Sequence, residues 1–159
     1  LITTKCKYKI FKCASVNCRN IINLAEINKI ITAIDKDSKK LDYYRKFNYI
    51  NTICFDLETE EKWPLKNGYY DIIIVVNYLY RPKIKKLINL LNNGGYLFYE
   101  TFALGNQKYG SPRNPDYLLK DKELLNFFSK DNEILSYFTG EVTEEKISIK
   151  QRCLIKKAS

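Results

Sequence analysis

The chain of 159 residues is long enough for one domain that buries roughly two thirds of its unfolded surface, so we expect a single domain over residues 1–159. Hydrophobic residues make up 45% and charged residues 28% of it, and no apolar run approaches the ~20 residues that cross a membrane, so we expect a cytoplasmic protein without membrane contact. The sequence has no His, and its five Cys form no C-x-x-C pair, which excludes His-based catalysis and predicts reduced thiols and no metal site.

The net charge of +9 has two explanations. A basic chain attracts polyanions, so RNA is one candidate partner. Alternatively, the lysines reflect a genome biased towards A and T, and their scattered positions in a chain also rich in Ile, Asn and Tyr favour this second explanation. The amino terminus has neither a signal-peptide pattern nor a Met, so we also expect that the natural chain starts further upstream.

Seven strands and four helices are predicted in chain order. The clearest strand is the continuous aliphatic run from Ile72 to Val76, which is typical of a strand buried on both faces of a parallel sheet. The third helix has Pro82 at its entry and Gly94 at its exit. Strands are predicted at residues 7–14, 29–34, 51–55, 72–76, 96–99, 133–138 and 147–154, and helices at 19–27, 39–46, 84–91 and 121–128.

This alternation predicts an α/β domain with right-handed crossovers and a largely parallel sheet. The last two strands are predicted to form a hairpin at the sheet edge, and residues 103–115 to form a long loop that covers or selects a ligand.

Polar side chains follow three of the strands, at the positions where open α/β sheets bind ligands. Asp35 ends the second strand, 23 residues beyond Lys12, a spacing at which a carboxylate reaches the ribose of a nucleotide. The alternative is that Asp37 or Ser38, in the same segment, only caps the next helix. Asp56 follows the third strand, where it could accept a hydrogen bond from a base. A nucleotide-dependent oxidoreductase is disfavoured because no G-x-G-x-x-G sequence is present.

Several segments resemble the class I S-adenosylmethionine-dependent methyltransferases, and within them a small bacterial group of tellurite-resistance-like or methyltransferase-domain proteins. The similarity extends over most of the chain and is most specific between residues 94 and 119. It rests on residues 14–20, Ile-Thr-Ala-Ile-Asp at 31–35, Asp-Leu-Glu at 56–58, Trp-Pro-Leu at 63–65, Asn-Tyr-Leu-Tyr-Arg-Pro at 77–82, residues 94–102, residues 105–119 and Gln-Arg at 151–152.

The resemblance implies a Rossmann-like sheet of seven strands, mostly parallel with an antiparallel last strand, and helices on both faces. It also implies that S-adenosyl-L-methionine lies over the ends of the first four strands, with Asp35 at the ribose, Asp56 and Leu57 beside the adenine, and Asn77 near the methionine moiety. The full set of implied cofactor-binding residues is Ala14, Ser15, Asn17, Asp35, Lys36, Asp56, Leu57 and Asn77.

The first loop departs from the family pattern Asp/Glu-x-Ala-x-Gly-x-Gly-Arg. Lys12 replaces the acid, and Val16 and Cys18 replace the two glycines. The glycines of the family allow a tight turn and close approach of the cofactor, whereas a Val with positive φ costs on the order of 1–3 kcal/mol. The resemblance therefore implies an enzyme whose glycine loop is eroded and whose cofactor binding is weakened.

Methyl transfer from a sulfonium is an in-line displacement that depends mainly on positioning, so it needs no metal or His. Tyr78 and Glu100 are the catalytic candidates if the acceptor must lose a proton. The alternatives are that Tyr78 only packs in the core and that Glu100 pairs with Arg81 or Arg113.

The substrate-selecting candidates are Tyr80, Arg81 and Asn106. Two functions stay open: a methyltransferase acting on an unidentified, small acceptor, and a catalytically impaired methyltransferase-like scaffold or RNA-binding protein.

Overall fold

The computed structural model describes residues 7–13, 29–144 and 146–159. Seven strands form one sheet in the order β3-β2-β1-β4-β5-β7-β6. The first five run parallel to their neighbours, and β7 lies antiparallel between β5 and β6. The strands are β1 (Tyr8–Cys13), β2 (Lys29–Asp35), β3 (Ile50–Cys54), β4 (Tyr70–Val76), β5 (Leu91–Phe102), β6 (Asn132–Val142) and β7 (Ser148–Lys157).

The predicted fold class is therefore confirmed, including the antiparallel last strand. The described helices are short: α1 (Ser38–Asp42), α2 (Lys86–Leu90) and α3 (Glu123–Phe128). Single 3₁₀ turns occur at Arg81–Lys83, Asn106–Lys108 and Pro115–Tyr117. The predicted helix over residues 19–27 lies outside the described residues.

Each face of the sheet is covered by a different set of helices. Leu87 of α2 and Phe128 of α3 belong to the larger core, which buries Ile73, Leu97 and Tyr99 of the central strands. The smaller core, on the opposite face of β1, β2 and β3, consists of Ile10, Ile31, Ala33, Leu41, Tyr44 and Ile50. Burial on both faces explains why β2 and β4 contain nearly continuous apolar runs and not an alternating pattern.

The third predicted helix is shorter than its apolar spacing indicates. Pro82 begins a 3₁₀ turn, and β5 begins at Leu91, where the sequence still has a helical spacing of leucines. Leu91 pairs with Tyr70, and the strand then passes through a register shift before it pairs regularly with β4. Gly94 has a φ of 72°, and a Cβ on Gly95 would lie 3.0 Å from the carbonyl oxygen of Asn92, so this irregular segment requires both glycines.

We expect Ile73→Ala to destabilise the protein far more than Ile72→Ala. Ile73 is fully buried in the larger core, whereas Ile72 is only partly buried on the opposite face. Loss of a buried isoleucine leaves a cavity and costs about 2–5 kcal/mol. Urea denaturation followed by circular dichroism gives the free energy of unfolding of both variants, and equal losses would contradict the assignment of β4 side chains to the two faces.

Candidate functional site

The carboxyl ends of β2 and β3 place two carboxylates next to each other. Asp35 pairs in register with Cys54, so Asp56 follows two residues beyond this pair. Asp35 is buried, and its Oδ1 accepts a hydrogen bond of 2.9 Å from the backbone N–H of Asp37. Asp37 in turn caps α1 through its own side chain, as predicted for the capping alternative. Because Asp37 caps the helix, Asp35 is not needed for capping and can bind a ligand.

Lys36 connects the ends of these two strands. Its Nζ lies 3.8 Å from Oδ2 of Asp56, whose Oδ1 accepts a hydrogen bond of 3.0 Å from the backbone N–H of Glu58. Leu57 is buried beside Trp63, and the indole N–H of Trp63 donates to the Leu57 carbonyl over 3.0 Å. Trp63 is the first residue of the Trp-Pro-Leu segment. Its hydrogen bond to Leu57 holds the turn that carries Asp56.

Asn77 marks the sharp end of β4. Its φ is 55°, in the left-handed region that Asn adopts more readily than most residues. Its backbone N–H donates to the Glu100 carbonyl over 2.9 Å, which fixes the end of β4 against β5. The side chain of Asn77 is exposed, so it is available to a ligand at this edge.

Tyr78 has a phenol that is buried but unpaired. Its Oη is inaccessible to solvent and has no hydrogen-bond partner in the described part of the chain. Burial raises the pKa of Tyr78, and the neighbouring Cys13, Glu58 and Asp56 raise this pKa further. The phenol therefore stays protonated at neutral pH and can donate a hydrogen bond.

The ends of the first four strands face one region. Burial raises the pKa of Cys13, which ends β1, and the carboxylates of Asp35 and Glu58 raise it further. The parallel pairs Cys13–Ile34, Cys13–Val75 and Asp35–Cys54 place the carboxyl ends of β1, β2, β3 and β4 at one edge of the sheet. The sequence reasoning that placed polar groups on a shared edge agrees with this arrangement.

Glu100 lies in a closed ion-pair network on β5. Its two carboxylate oxygens accept hydrogen bonds from Lys150 (2.8 Å) and Arg152 (2.6 Å) of β7. Burial disfavours the charged carboxylate, but these two cations outweigh burial and lower the pKa of Glu100. The partners differ from the expected Arg81 and Arg113 because β7 lies antiparallel beside β5.

Arg81 fixes the long loop to the end of β4. Its guanidinium makes two hydrogen bonds to the Glu123 carboxylate, of 2.6 and 3.0 Å, and two more to the carbonyls of Asp116 and Leu118. With its donors occupied by the protein, Arg81 holds the loop in place in this structure. Its role as a substrate-selecting residue stays a prediction.

Asn106 fixes the other end of the same loop through hydrogen bonds. It is buried, its side-chain N–H donates to the Pro112 carbonyl over 3.2 Å, and its Oδ1 accepts from the backbone N–H of Ile149. Tyr80, which is half-buried, lies close enough to Tyr78 to contribute to its raised pKa. Direct contact of either residue with a substrate stays a prediction.

The implied first-loop contacts, Ala14, Ser15 and Asn17, lie outside the described residues, as do Val16 and Cys18. Lys12, which replaces the acid of the family pattern, is buried in β1 between Ala33 and Ile74 of the neighbouring strands. Within residues 7–13, 29–144 and 146–159, no three Cys, Asp or Glu side chains are grouped as metal ligands. No helix among these residues is long and apolar enough to cross a membrane.

Sequence reasoning missed the two ion-pair networks that shape this edge. Glu123 is 42 residues from Arg81, and no pattern in the sequence connects them. Lys150 and Arg152 carry a weak signal, since cations at alternate positions of a strand share one face and require a counterion when partly buried.

Comparison with solved structures reveals the same architecture in methyltransferases. A protein from Listeria monocytogenes, provisionally assigned as an S-adenosylmethionine-dependent methyltransferase, superposes with a TM-score of 0.72 at 12% identity, over 96% of this chain and 92% of that protein. A SAM-dependent methyltransferase from Methanosarcina mazei gives 0.69 at 12% identity, over 96% and 93%. The 4+2 cyclase SpnF gives 0.68 at 10% identity, over 96% and 75%.

At these identities the comparison establishes the fold, which is the Rossmann-like fold of class I methyltransferases. No family model matches the sequence, and no curated protein is similar to it. The fold alone is shared by proteins with different chemistry, so the function depends on the site.

We expect Glu123→Gln to remove part of the stability at neutral pH but not at low pH. Burial opposes ionisation of Glu123, but its bonds from Arg81 and Lys120 outweigh this and lower its pKa below the ordinary value of 4.5. A lowered folded-state pKa contributes stability above pH 4.5 that is lost as the pH falls through the folded-state value.

Urea denaturation between pH 3 and pH 7 should therefore show a difference between wild type and Glu123→Gln that shrinks towards acid. Glu61→Gln, at an exposed position without a salt bridge in the described part of the chain, is the matched control and should show little difference at any pH. A pH-independent loss for Glu123→Gln would contradict the ion-pair explanation.

Proposed function

We propose that this protein is an S-adenosyl-L-methionine-dependent methyltransferase that transfers a methyl group to a small acceptor. The observation that carries the proposal is the convergence of Asp35, Asp56, Asn77 and Tyr78 at the carboxyl edge of a sheet with the order found above. Open α/β sheets bind nucleotides at this edge. The similar solved methyltransferases support the proposal only through their fold.

The side chains present fit an adenosyl group and a sulfonium. The buried carboxylate of Asp35 still has an oxygen, Oδ2, that could accept from ribose hydroxyls while Oδ1 binds the N–H of Asp37. Asp56, held by Glu58 and next to the buried Leu57, offers an acceptor for an exocyclic amine beside an apolar surface for a base. The unpaired Oη of Tyr78 is a buried donor that a ligand would satisfy.

The bound cofactor would supply an activated methyl group on its sulfonium. The chain itself would contribute orientation, because Asp35 and Asp56 would bind different parts of one nucleoside from the ends of neighbouring strands. Carboxylates near the site also favour a cationic group.

Tyr78 and Glu100 suit different tasks in such a reaction. The raised pKa of Tyr78 makes it a hydrogen-bond donor that orients the acceptor, whereas a phenolate base is disfavoured. The Glu100 carboxylate is ionised, but Lys150 and Arg152 lower its basicity. An acceptor that is already deprotonated, or that is neutral and nucleophilic, therefore fits the site best.

The alternative is a methyltransferase-like scaffold or RNA-binding protein that has lost catalysis. The observation that favours it is the sequence of the first loop, where Val16 and Cys18 replace glycines and Lys12 replaces an acid. Cofactor binding separates the two functions, because a scaffold of this kind has no need of it.

We expect S-adenosylmethionine to bind wild-type protein with a Kd below about 100 µM, or −5.5 kcal/mol, in isothermal titration calorimetry. Asp35→Asn should weaken binding at least tenfold, since hydrogen bonds to charged groups contribute about 1.5–3 kcal/mol. Asp37→Asn keeps the helix cap and is the matched control, with little expected change. Equal effects of the two substitutions would contradict the role of Asp35.

Restoring the glycines tests whether the first loop limits binding. We expect Val16→Gly combined with Cys18→Gly to strengthen S-adenosylmethionine binding, because the change removes two Cβ atoms and allows the backbone conformations that only glycine adopts readily. The same titration measures it, with adenosylhomocysteine as a second ligand. If neither the wild type nor the double variant binds either ligand, the methyltransferase proposal fails.

A further inference from the structure

The segment between α1 and β3, residues 43–49, has the sequence Tyr-Tyr-Arg-Lys-Phe-Asn-Tyr and forms a ladder of aromatic rings. The ring centroids of Tyr43 and Phe47 are 5.8 Å apart, and those of Phe47 and Tyr49 are 5.6 Å apart. The side chain of Tyr43 is 53% exposed, while Phe47 and Tyr49 are partly buried. We call residues 43–49 the aromatic–basic segment.

Cations lie directly on these rings. The Nζ of Lys46 is 3.9 Å from the ring centroid of Tyr43 and 5.2 Å from that of Phe47. The Nζ of Lys29 lies 5.5 Å from the Tyr49 ring. The Lys46 contacts keep this exposed cation next to the exposed ring of Tyr43, whereas Lys29 is buried beside Tyr49.

Few acidic groups balance the charge here. Arg45 and Lys46 of the segment are exposed. Asp42 is the acid next to the segment, and it forms an ion pair with Arg45. Lys46 has no salt bridge to an acid in the described part of the chain, so its positive charge remains after this pair is counted.

The segment lies at the end of the sheet opposite the candidate cofactor site. Lys29 begins β2 and Asp35 ends it, and the rise of a strand places the two ends about 20 Å apart. The backbone N–H of Ile31 donates to the Tyr49 carbonyl, which ties the segment to the beginning of β2. A ligand bound here would leave the carboxyl edge accessible.

We propose that the aromatic–basic segment binds single-stranded nucleic acid, with a base stacked on Tyr43 and the phosphates near Arg45 and Lys46. Exposed aromatic rings next to cations are the combination by which proteins bind single strands without sequence preference, because every base has a stacking face and every nucleotide has a phosphate. The basic net charge of the chain strengthens the attraction.

A membrane surface fits this segment less well. Insertion into lipid requires exposed aliphatic or Phe side chains. Among the described residues, the exposed large side chains towards this end of the sheet include Tyr8, Tyr43 and Tyr96, whereas the exposed Leu135 and Phe138 lie on β6, at the far edge of the sheet. An acidic peptide would match the charges but would leave the rings without a planar partner.

Fluorescence anisotropy with a labelled short oligouridylate tests the proposal. We expect Tyr43→Ala to raise the Kd about tenfold or more, from the known range for loss of one base–aromatic stack. Lys46→Gln should lower the slope of log Kd against log salt concentration by about 0.7, the value for one phosphate contact on a single strand. Thermal melting by circular dichroism checks that both variants are folded.

The matched controls are Tyr96→Ala and Lys156→Gln. Tyr96 is 40% exposed and pairs across the sheet with Lys156, whose neighbour on β6 is Glu133, so this pair has an aromatic ring and a cation but also a balancing acid. Both controls should change the Kd less than twofold.

The proposal is overturned if the wild type does not bind the oligonucleotide at about 50 mM salt, or if the controls weaken binding as much as Tyr43→Ala does. Equally tight binding of polyglutamate, or of phosphatidylserine vesicles in a sedimentation assay, would also overturn it. S-adenosylmethionine titrations of Tyr43→Ala should match the wild type, so the outcome is independent of the methyltransferase proposal.

Discussion

Parallel pairing of β1 with both β2 and β4 is the constraint on which the rest of the structure depends. The pairs Ile10–Ile31 and Ile10–Ile72 set the register of three strands, and this register brings Cys13, Asp35 and Asn77 to the same edge. Successive residues of β1 belong to opposite cores, Ile10 to the smaller and Phe11 to the larger, so their burial fixes the register. A shift of one residue would turn Phe11 and Ile73 out of the larger core.

The same pairing brings the opposite ends of the strands together. The amino ends of parallel strands lie at one edge of the sheet, and their carboxyl ends lie at the other. Tyr8, Lys29 and Tyr49 are therefore neighbours, although no local pattern in the sequence indicates it. The two edges carry different groups, since Asp35 ends β2 whereas Lys29, which lies over the ring of Tyr49, begins it. One sheet can thus hold two separate ligand-binding edges, since nothing in the register couples the chemistry of one to that of the other.

The fold was predictable from the sequence because its signals are local. Aliphatic runs such as Ile72–Val76 indicate buried strands, and polar residues directly after a strand, such as Asp35 and Asn77, are placed at an edge by topology alone. The extent of α2 was not predictable, because the leucines at 87, 90 and 91 have helical spacing while Leu91 is needed to pair with Tyr70. Tertiary pairing overrode the local preference there.

The side-chain partners at the site were not predictable for a different reason. Glu100 could have met any of several cations, and only the insertion of β7 between β5 and β6 selects Lys150 and Arg152. Glu100 has the position of a general base, but these two cations on β7 compensate its charge. Tyr78, two residues beyond β4, is the opposite case. Its position after the strand allowed either packing in the core or acid–base chemistry, and burial of its phenol without a partner in the described part of the chain favours donation of a hydrogen bond. In this fold the strand order decides which polar group is paired within the protein and which remains able to bind a ligand.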